Sequence, residues 1–514
     1  MTSVISGGGG QLGGGTPDPY DLLPYTEHAY AESSPDHLRV VAALAGFTPA
    51  MELPALAPRV LELGCGRGGN LLPLAAAWPD ATFVGVDRSP SQIRDATRVA
   101  EAAELRNVTF VTADFAESDL GAVTSPPFDF VLCHGVYSWV PPASRAALLA
   151  RIRAALAERG LAYVSFNTLP GWYRRFAARD FLRFAAGGAG MGGAGGPRKA
   201  LAWLTDVVSP ELGAYRDDLR AVLDRLSRTE AAYLTHEYLA DVHHPVYAAT
   251  FVEEAAEAGL RYVADALPGE AALETLPDAV QARAKSLDVG RALTLVDFAR
   301  DTAFRRAVLA RADTAARADF RPHASVASHA VAILGLRVAS RLRPLGDAGL
   351  SDVESFEGGG VTVQLSGVTR RALRALATAR PRSIPCRELA DAVSTAPETL
   401  ARALAELWVT CPGLDLHERE PELVTTVSPH PRASAVARWH AIEGGPVTNV
   451  WHQEVALAEP VVRFILGRLD GKATVDDVVR SVCEREGAKV SRAEARALVD
   501  ASLELLARSA LLVG

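Results

Sequence analysis

The sequence predicts an α/β protein: an open, doubly wound Rossmann-like sheet reaching seven strands, with a helical cap insertion and C-terminal winged-helix-like α+β modules behind it. Three observations predict it. Strand-like runs alternate with amphipathic helical stretches up to residue 166, the first strand enters a glycine-rich turn, and an acid stands at each of the first three strands. Alternation of this kind builds a parallel sheet whose ligand lies at the carboxyl ends of the strands.

Residues 1–16 are a Gly/Ser-rich tract unable to bury enough apolar surface to offset its ordering entropy, so a disordered tail is expected there. A helix from Pro35 carries Leu38, Val41, Ala42 and Leu44 on one face and is ended by Pro54 and Pro58. The first strand follows in Val60-Leu-Glu-Leu-Gly64. Gly64, Gly66 and Gly68 lack the Cβ atoms that would hold a ligand off the backbone, and Gly69 with Asn70 opens a helix whose free N–H groups face it. Gly64-x-Gly66-x-x-Gly69 also satisfies the dinucleotide fingerprint, so the surrounding acids decide the ligand.

Glu62 lies inside the first strand, where a dinucleotide site carries an apolar residue and an S-adenosylmethionine site needs help with the amino-acid end of its ligand. Asp87 ends the second strand, Thr82–Val86, 23 residues beyond Gly64, the place for a carboxylate accepting from both ribose hydroxyls. Asp114 follows the third strand, Val108–Thr112, and with Phe115 offers an acceptor and an apolar wall for an adenine. The set of three favours S-adenosylmethionine.

The fourth strand is Phe128–Cys133, a helix is expected over 144–158, a turn at Arg159-Gly160, and a fifth strand over Leu161–Phe166. After Pro170-Gly171 the chain is helical and holds the glycine-rich tract Gly187–Gly196, so residues 171–244 predict a helical insertion capping the strand ends. The sheet resumes later, through an amphipathic helix over 245–259, a strand at Leu260–Ala264 and a last strand at Phe304–Ala310. Three helices between Val368 and Val424 suggest a winged helix; its third, Pro397–Trp408, carries Glu398 and Glu406 beside Arg402, which disfavours DNA reading. A last module over 436–514 has a turn at Leu469-Asp-Gly471 and a long helix from Ser491 to Arg508. The expected domains are therefore the tail, a domain over 17–320 with the cap inside it, a winged-helix-like domain over 321–435 and the small helical module.

At 514 residues the chain is long enough for about two to four domains. A net charge of −8 argues against nucleic acid as the main partner. Five scattered cysteines without a CxxC pair predict a reduced, cytoplasmic protein without structural zinc. No apolar run of about 18 residues occurs, so no membrane insertion is expected.

Methyl transfer from a sulfonium is an in-line displacement in which positioning dominates, and an amine acceptor must arrive uncharged. His134, Tyr137 and Trp139 follow the fourth strand beside the reactive end of such a donor. Tyr137 and Trp139 are placed to wall a slot for an alkyl-ammonium by cation–π contact. These three are the candidate catalytic residues. Asn167 ends the fifth strand at the same mouth, and Tyr25, His236 and Glu237 complete the candidate substrate contacts with Tyr137 and Trp139. The cluster His236, Glu237, Asp241, His243 and His244 lacks metal-ligand spacing, and no metal is expected. The fourth strand also lacks the Asp/Asn-Pro-Pro-Tyr loop of amide and nucleobase methylation.

Val60–Asn70, Val84–Ile93, His134–Pro142, Asn167–Trp172 and His236–Tyr247 together resemble class I S-adenosylmethionine methyltransferases with a methyltransferase regulatory domain, here over about 215–315. Within that group the chain looks like bacterial protein-lysine methyltransferases that modify outer-membrane proteins. The resemblance implies that Gly64, Gly66 and Asn70 contact the methionine portion, Asp87 the ribose, Gln92 the cofactor's edge, and Asp114 with Phe115 the adenine; His134 joins this set. It also implies a protein substrate, methylated on lysine amines, and a homodimer. Small-molecule methylation and a non-catalytic cofactor-sensing interaction protein are the alternatives.

Overall fold

The computed structural model describes residues 25–115, 127–186, 196–207, 213–315, 326–346, 352–487 and 490–514. The expected disordered tail and nearly all of the Gly187–Gly196 tract lie outside them.

Seven strands form the central sheet: β1 Arg59–Leu63, β2 Thr82–Asp87, β3 Val108–Thr112, β4 Phe128–Cys133, β5 Leu156–Asn167, β6 Leu260–Asp265 and β7 Phe304–Arg311, in the order 3-2-1-4-5-7-6. β1 to β5 are parallel, and β7 runs antiparallel between β5 and β6. Both faces of this sheet are covered, which is why its strands read as nearly unbroken apolar runs. Val60, Phe83, Phe130 and Tyr163 face the helices Pro35–Leu44, Leu71–Ala77 and Pro90–Ala102; Leu61, Val131, Val164 and Phe166 face Pro142–Ala155 and Ala248–Glu257. The strand order reverses between β1 and β4, and the crevice that opens there is where ligands of wound sheets bind.

The elements expected from sequence are present among the described residues, with two revisions: the helix from Pro35 ends at Leu44, just before Gly46 at φ +94°, and a 3-10 turn over Thr48–Glu52 separates it from Pro54; and β5 starts early. No turn separates the fourth helix from β5 at Arg159-Gly160; the strand begins at Leu156, and its register against β4 shifts between Phe128 and Phe130. Gly160 sits in this irregularity, where a Cβ would approach Leu156 Cδ1 to 2.8 Å and Asp129 O to 3.0 Å. A glycine that signals a turn in sequence here serves a close backbone approach inside a strand.

The segment after β5 is helical: Tyr173–Ala186, Gly196–Val207, Gly213–Ser227, then a π-helical turn over Leu234–Leu239. It has a small core of its own, with Trp172, Leu182, Leu204, Leu223, Leu226 and Tyr238. It returns to the sheet beside the end of β5, where Leu169 N–H donates to Val246 O at 3.1 Å. Arg305 of β7 is buried against Asp265 of β6 and Asp297 of helix Val289–Arg300, tying this half of the sheet to its covering helix.

Beyond the sheet, three helices, Gly367–Ala379, Cys386–Ala392 and Pro397–Thr410, pack with a small sheet of β8 Arg337–Ser340, β12 Ile384–Pro385 and β13 Leu414–His417. A second sheet holds β9 Arg343–Pro344, β10 Val353–Gly358 and β11 Val361–Ser366. Four more helices, Ala435–Glu443, Pro460–Arg468, Val475–Glu486 and Arg492–Arg508, enclose a separate core around Ile465, Val479, Val499 and Leu503. Thr474 and Ser491 start the last two with reciprocal capping boxes, each satisfying two of the free N–H groups at its helix start. No helix among the described residues is long and apolar enough to cross a membrane.

Candidate active site

β1 ends at Leu63, and the chain turns at Gly64 with φ +79°; a Cβ there would lie 2.3 Å from Val136 Cγ2, so only glycine lets the loop lie against the end of β4. Gly66 N–H donates to Asp87 Oδ2 at 2.9 Å and Ser89 N–H to Asp87 Oδ1 at 2.9 Å. Asp87 thus fixes the loop's shape from the neighbouring strand end while its edge stays half-exposed. Gln92 is buried beneath the same loop, and Asp114 and Phe115 are half-buried past the end of β3. Adjacent strands β1, β2 and β3 accordingly bring Glu62, Asp87 and Asp114 to one edge.

Glu62 is buried and takes Asn70 Nδ2 on Oε1 at 3.0 Å. Its Oε2 is buried with no protein partner among the described residues. Burial pushes its carboxyl up to about 8, opposed by the Asn70 bond and reinforced by Asp87. A buried acceptor without a donor, beside a glycine cradle, fits the ammonium end of an amino-acid ligand.

Asn70 departs from the expectation of direct ligand contact by its side chain. Its Oδ1 accepts from Tyr30 N–H at 3.0 Å and faces His452 Nε2 at 2.8 Å; its Nδ2 donates to Glu62 and to Ser33 Oγ at 3.1 Å. An amide has two donors and two lone pairs, and all four are taken by protein groups. Asn70 therefore holds Glu62.

At the end of β4, the His134 ring stacks on Tyr30 with centroids 3.5 Å apart, and its Nδ1 is 2.9 Å from Tyr163 Oη. Burial holds this imidazole well below its usual range, so it stands neutral. Tyr137 is the clearest correction. Its ring is fully buried on the opposite face, edge-on to Phe166 and Phe251, and its phenol donates to Glu254. The 3-10 turn over Tyr137–Trp139 points its side chains in three directions about 120° apart, and Tyr137 enters the core while Trp139 remains half-buried. Trp139 stacks on His243 with centroids 4.4 Å apart, and the Asn167 amide lies 2.9 Å from His243 Nε2. Trp172 meets the same imidazole edge-on at 4.0 Å.

Glu237 accepts from Tyr25 Oη at 3.3 Å, and the His236 ring lies 5.7 Å from that of Tyr25. Burial pushes the Glu237 carboxyl up to about 7, with Tyr25, Arg175 and Arg179 pulling the other way. His236 and His243 have separate partners, Tyr25 and Asn167, and no metal-holding group of side chains occurs among the described residues. Residues Tyr25–Tyr30 form a strap across the loop: a Cβ on Gly69 would lie 2.8 Å from Glu27 Cβ and 3.1 Å from His28 N. Thr26 Oγ1 reaches Glu230 at 2.6 Å, and Glu454 Oε1 takes Ala29 N–H at 2.9 Å. Tyr30, Ser33, Tyr163, His243 as a stacking partner, and His452 were not selected from sequence, since each gains its place only through contacts distant along the chain.

Residues 60–160 match the family described as a methyltransferase domain, 230–311 a predicted methyltransferase regulatory domain, and 430–511 the PKMT C-terminal winged-helix domain. The last match falls on the four terminal helices, beyond the three between Val368 and Val424. An uncharacterized protein of Rickettsia prowazekii is 32% identical over 300 residues, 58% of this chain and 53% of its own length, so the chain spans about half of that relative. Trans-aconitate 2-methyltransferase of Methylobacterium radiotolerans is 31% identical over 230 residues, 43% of this chain and 78% of its own. PKMT2 of Rickettsia typhi in complex with AdoHcy superimposes with a TM-score of 0.82 over 96% of this chain and 100% of its own at 23% identity, a likeness of fold. The matched segments sit on the sheet, the cap return and the terminal helices already described, and the chain belongs to the S-adenosylmethionine-dependent methyltransferases that carry a methyltransferase regulatory domain.

Proposed function

We propose that this chain transfers methyl groups from S-adenosylmethionine to lysine side chains of a protein substrate. The observation that carries the donor half is the cradle: one carboxylate from each of three adjacent strands, with Glu62 Oε2 buried and unpartnered beside the glycine turn. In this reading Glu62 balances the donor's ammonium, Asp87 accepts from the ribose hydroxyls while holding Gly66, Gln92 lines the edge, and Asp114 with Phe115 takes the adenine. The loop at Gly64 and Gly66 lets the ligand approach the backbone.

The sulfonium supplies an electrophilic methyl and leaves as a neutral thioether. The chain's own task is to aim an amine and relieve it of its proton. Trp139 stacked on His243, held by Asn167, forms a flat wall at the strand ends, and neutral His134 against Tyr30 forms another. Glu237, whose carboxyl lies near 7, is suited to take a proton from an ammonium close to neutral pH and become the neutral acid, with Tyr25 donating to one oxygen of the carboxylate beforehand and the other oxygen receiving the proton. Tyr137 has no part in this mouth and is assigned to packing.

Protein lysine as the acceptor is supported by the match of the terminal helices to the PKMT domain and by a likeness of fold that extends through the cap and C-terminal modules, whereas the trans-aconitate enzyme matches only 43% of the chain. The domain limits proposed are 17–320 for the methyltransferase unit with its cap, and 321–435 and 436–514 for the two C-terminal modules. The five cysteines are unpaired, which supports a reducing, cytoplasmic setting. The net charge of −8 supports a partner other than nucleic acid, and a homodimer is the assembly proposed.

The test is incubation of the purified chain with methyl-labelled cofactor and a bacterial protein extract, followed by mass spectrometry. Label on lysine Nζ of proteins is expected. Label confined to small metabolites would replace this reading with small-molecule methylation, and absence of any label, with cofactor still bound, would leave a cofactor-sensing protein.

A further inference from the structure

We infer that His452, in the C-terminal module, is a positioning residue for the methyl-donor site, acting through Asn70 on Glu62. The inference rests on the donor reading above and adds to it a part of the chain that the donor motif does not contain.

Asn70 lies at the start of the helix after the glycine turn, and its amide can face only one way. Tyr30 N–H is a donor fixed in the backbone at 3.0 Å, so the carbonyl oxygen must lie toward it and the NH₂ must lie toward Glu62. His452 Nε2, 2.8 Å from the same oxygen, supplies the second donor across 382 residues of chain. Remove it and the buried Asn70 oxygen loses its shortest hydrogen bond, with the Ser33 hydroxyl at 3.3 Å a longer neighbour, while the amide that grips Glu62 is left with Tyr30 and Ser33 as restraints.

His452 makes this one bond at some structural expense. Its φ is +59°, in the left-handed region that residues with a Cβ seldom occupy, and its Nδ1 is buried without a protein partner among the described residues. Burial holds the ring neutral, its proton-binding value pushed down to about 3, which suits an imidazole whose single proton sits on Nε2 and points at an acceptor. The surrounding turn is built to present it. Asn449 Oδ1 takes the N–H groups of Trp451 and Gln453 at 3.0 Å each, His452 N–H closes on Asn449 O at 3.0 Å, and Trp451 Nε1–H anchors the turn on Pro381 O at 3.1 Å. Two residues on, Glu454 holds the strap through His28 and Ala29. Strain, an unsatisfied buried nitrogen and a dedicated turn, all converging on one hydrogen bond to a ligand-site residue, mark that bond as the purpose of the arrangement.

The test compares His452→Phe, which keeps a ring but has no donor, with His452→Gln, whose amide NH₂ can take the place of Nε2–H. S-adenosylhomocysteine is titrated calorimetrically into the full chain, with circular dichroism confirming the fold. The expected result is that binding weakens about tenfold in H452F and returns to within about threefold of the parent in H452Q. Parent-like binding by H452F, or equal weakening in both variants, would overturn the inference and leave His452 as interface packing. A parent chain that does not bind S-adenosylhomocysteine would overturn the donor reading itself, and this inference with it. Should H452F not fold, the ring ¹⁵N signals of His452 in the parent chain decide: a shift of Nε2–H on ligand addition supports the link, and no shift overturns it.

Discussion

Every side chain assigned to the donor cradle comes from the continuous stretch Glu62–Phe115, whereas the acceptor mouth draws Tyr25 and Tyr30 from the strap, Trp139 from the end of β4, Asn167 from β5, and Glu237 and His243 from the cap. Within that stretch Asp87 reaches Gly66 and Ser89 and Asn70 reaches Glu62, and Asn70 is also braced from outside it, by Tyr30, Ser33 and His452. The mouth is held by contacts between distant segments, such as Tyr25 with Glu237 and Asn167 with His243. One sheet edge thus combines a donor site whose assigned ligand-facing side chains all come from one stretch of sequence with a mouth whose side chains come from separate pieces. The difference predicts that cradle substitutions act on cofactor affinity and mouth substitutions on turnover.

Asp87→Ala should give the largest effect, because it removes the ribose acceptor and also frees Gly66 and Ser89 N–H. A loss of about 1–3 kcal/mol in S-adenosylhomocysteine binding, roughly 5- to 150-fold in Kd by calorimetry, is expected. Unchanged affinity would take Asp87 out of the cradle.

Glu62 gives a pH signature. Its carboxyl titrates near 8 in the folded chain, above the usual carboxylate range. The unfolded carboxyl therefore ionises first, so this group's contribution to stability declines as pH rises from that range to about 8 and levels off beyond it. A ligand ammonium favours the ionised form, so binding should release a proton at pH 7, and affinity should climb by up to about tenfold per pH unit toward 8, then flatten. Calorimetry in buffers of different ionisation enthalpy reads that proton; in Glu62→Gln the release and the slope should vanish. A parent affinity flat between pH 6 and 8 would contradict the assignment.

On the mouth side, Glu237→Gln should lower kcat by about tenfold or more while cofactor Kd stays within about twofold, since general-base catalysis contributes on the order of 10²–10⁴. An equal loss of cofactor affinity would erase the division between the two regions. Tyr137→Phe should be the mildest. It removes the bond to Glu254, lowering stability by about 1 kcal/mol in denaturant titration, and leaves turnover as it was.

The same division explains what could be read from sequence. Glycines that need positive φ and acids at strand ends leave a spaced pattern, so β1 to β3 and their ligands were legible together, as were the seven strands, whose apolar runs follow from burial on both faces. Tyr137 was misplaced because strand-end aromatics are alike in sequence, and only the turn over Tyr137–Trp139 decides which enters the core. Gly160 misled in the same way, since glycine serves a turn and a close approach equally. His452 left no signal at all: its partner is 382 residues away, and nothing short of the folded chain brings them together.

The most direct test is a crystal structure of the full chain with S-adenosylhomocysteine. This account predicts the ligand across the carboxyl ends of β1, β2 and β3, with its ammonium on Glu62, its ribose on Asp87 and its adenine beside Asp114 and Phe115. A ligand seated elsewhere, or one leaving Glu62 Oε2 without a partner, would contradict it.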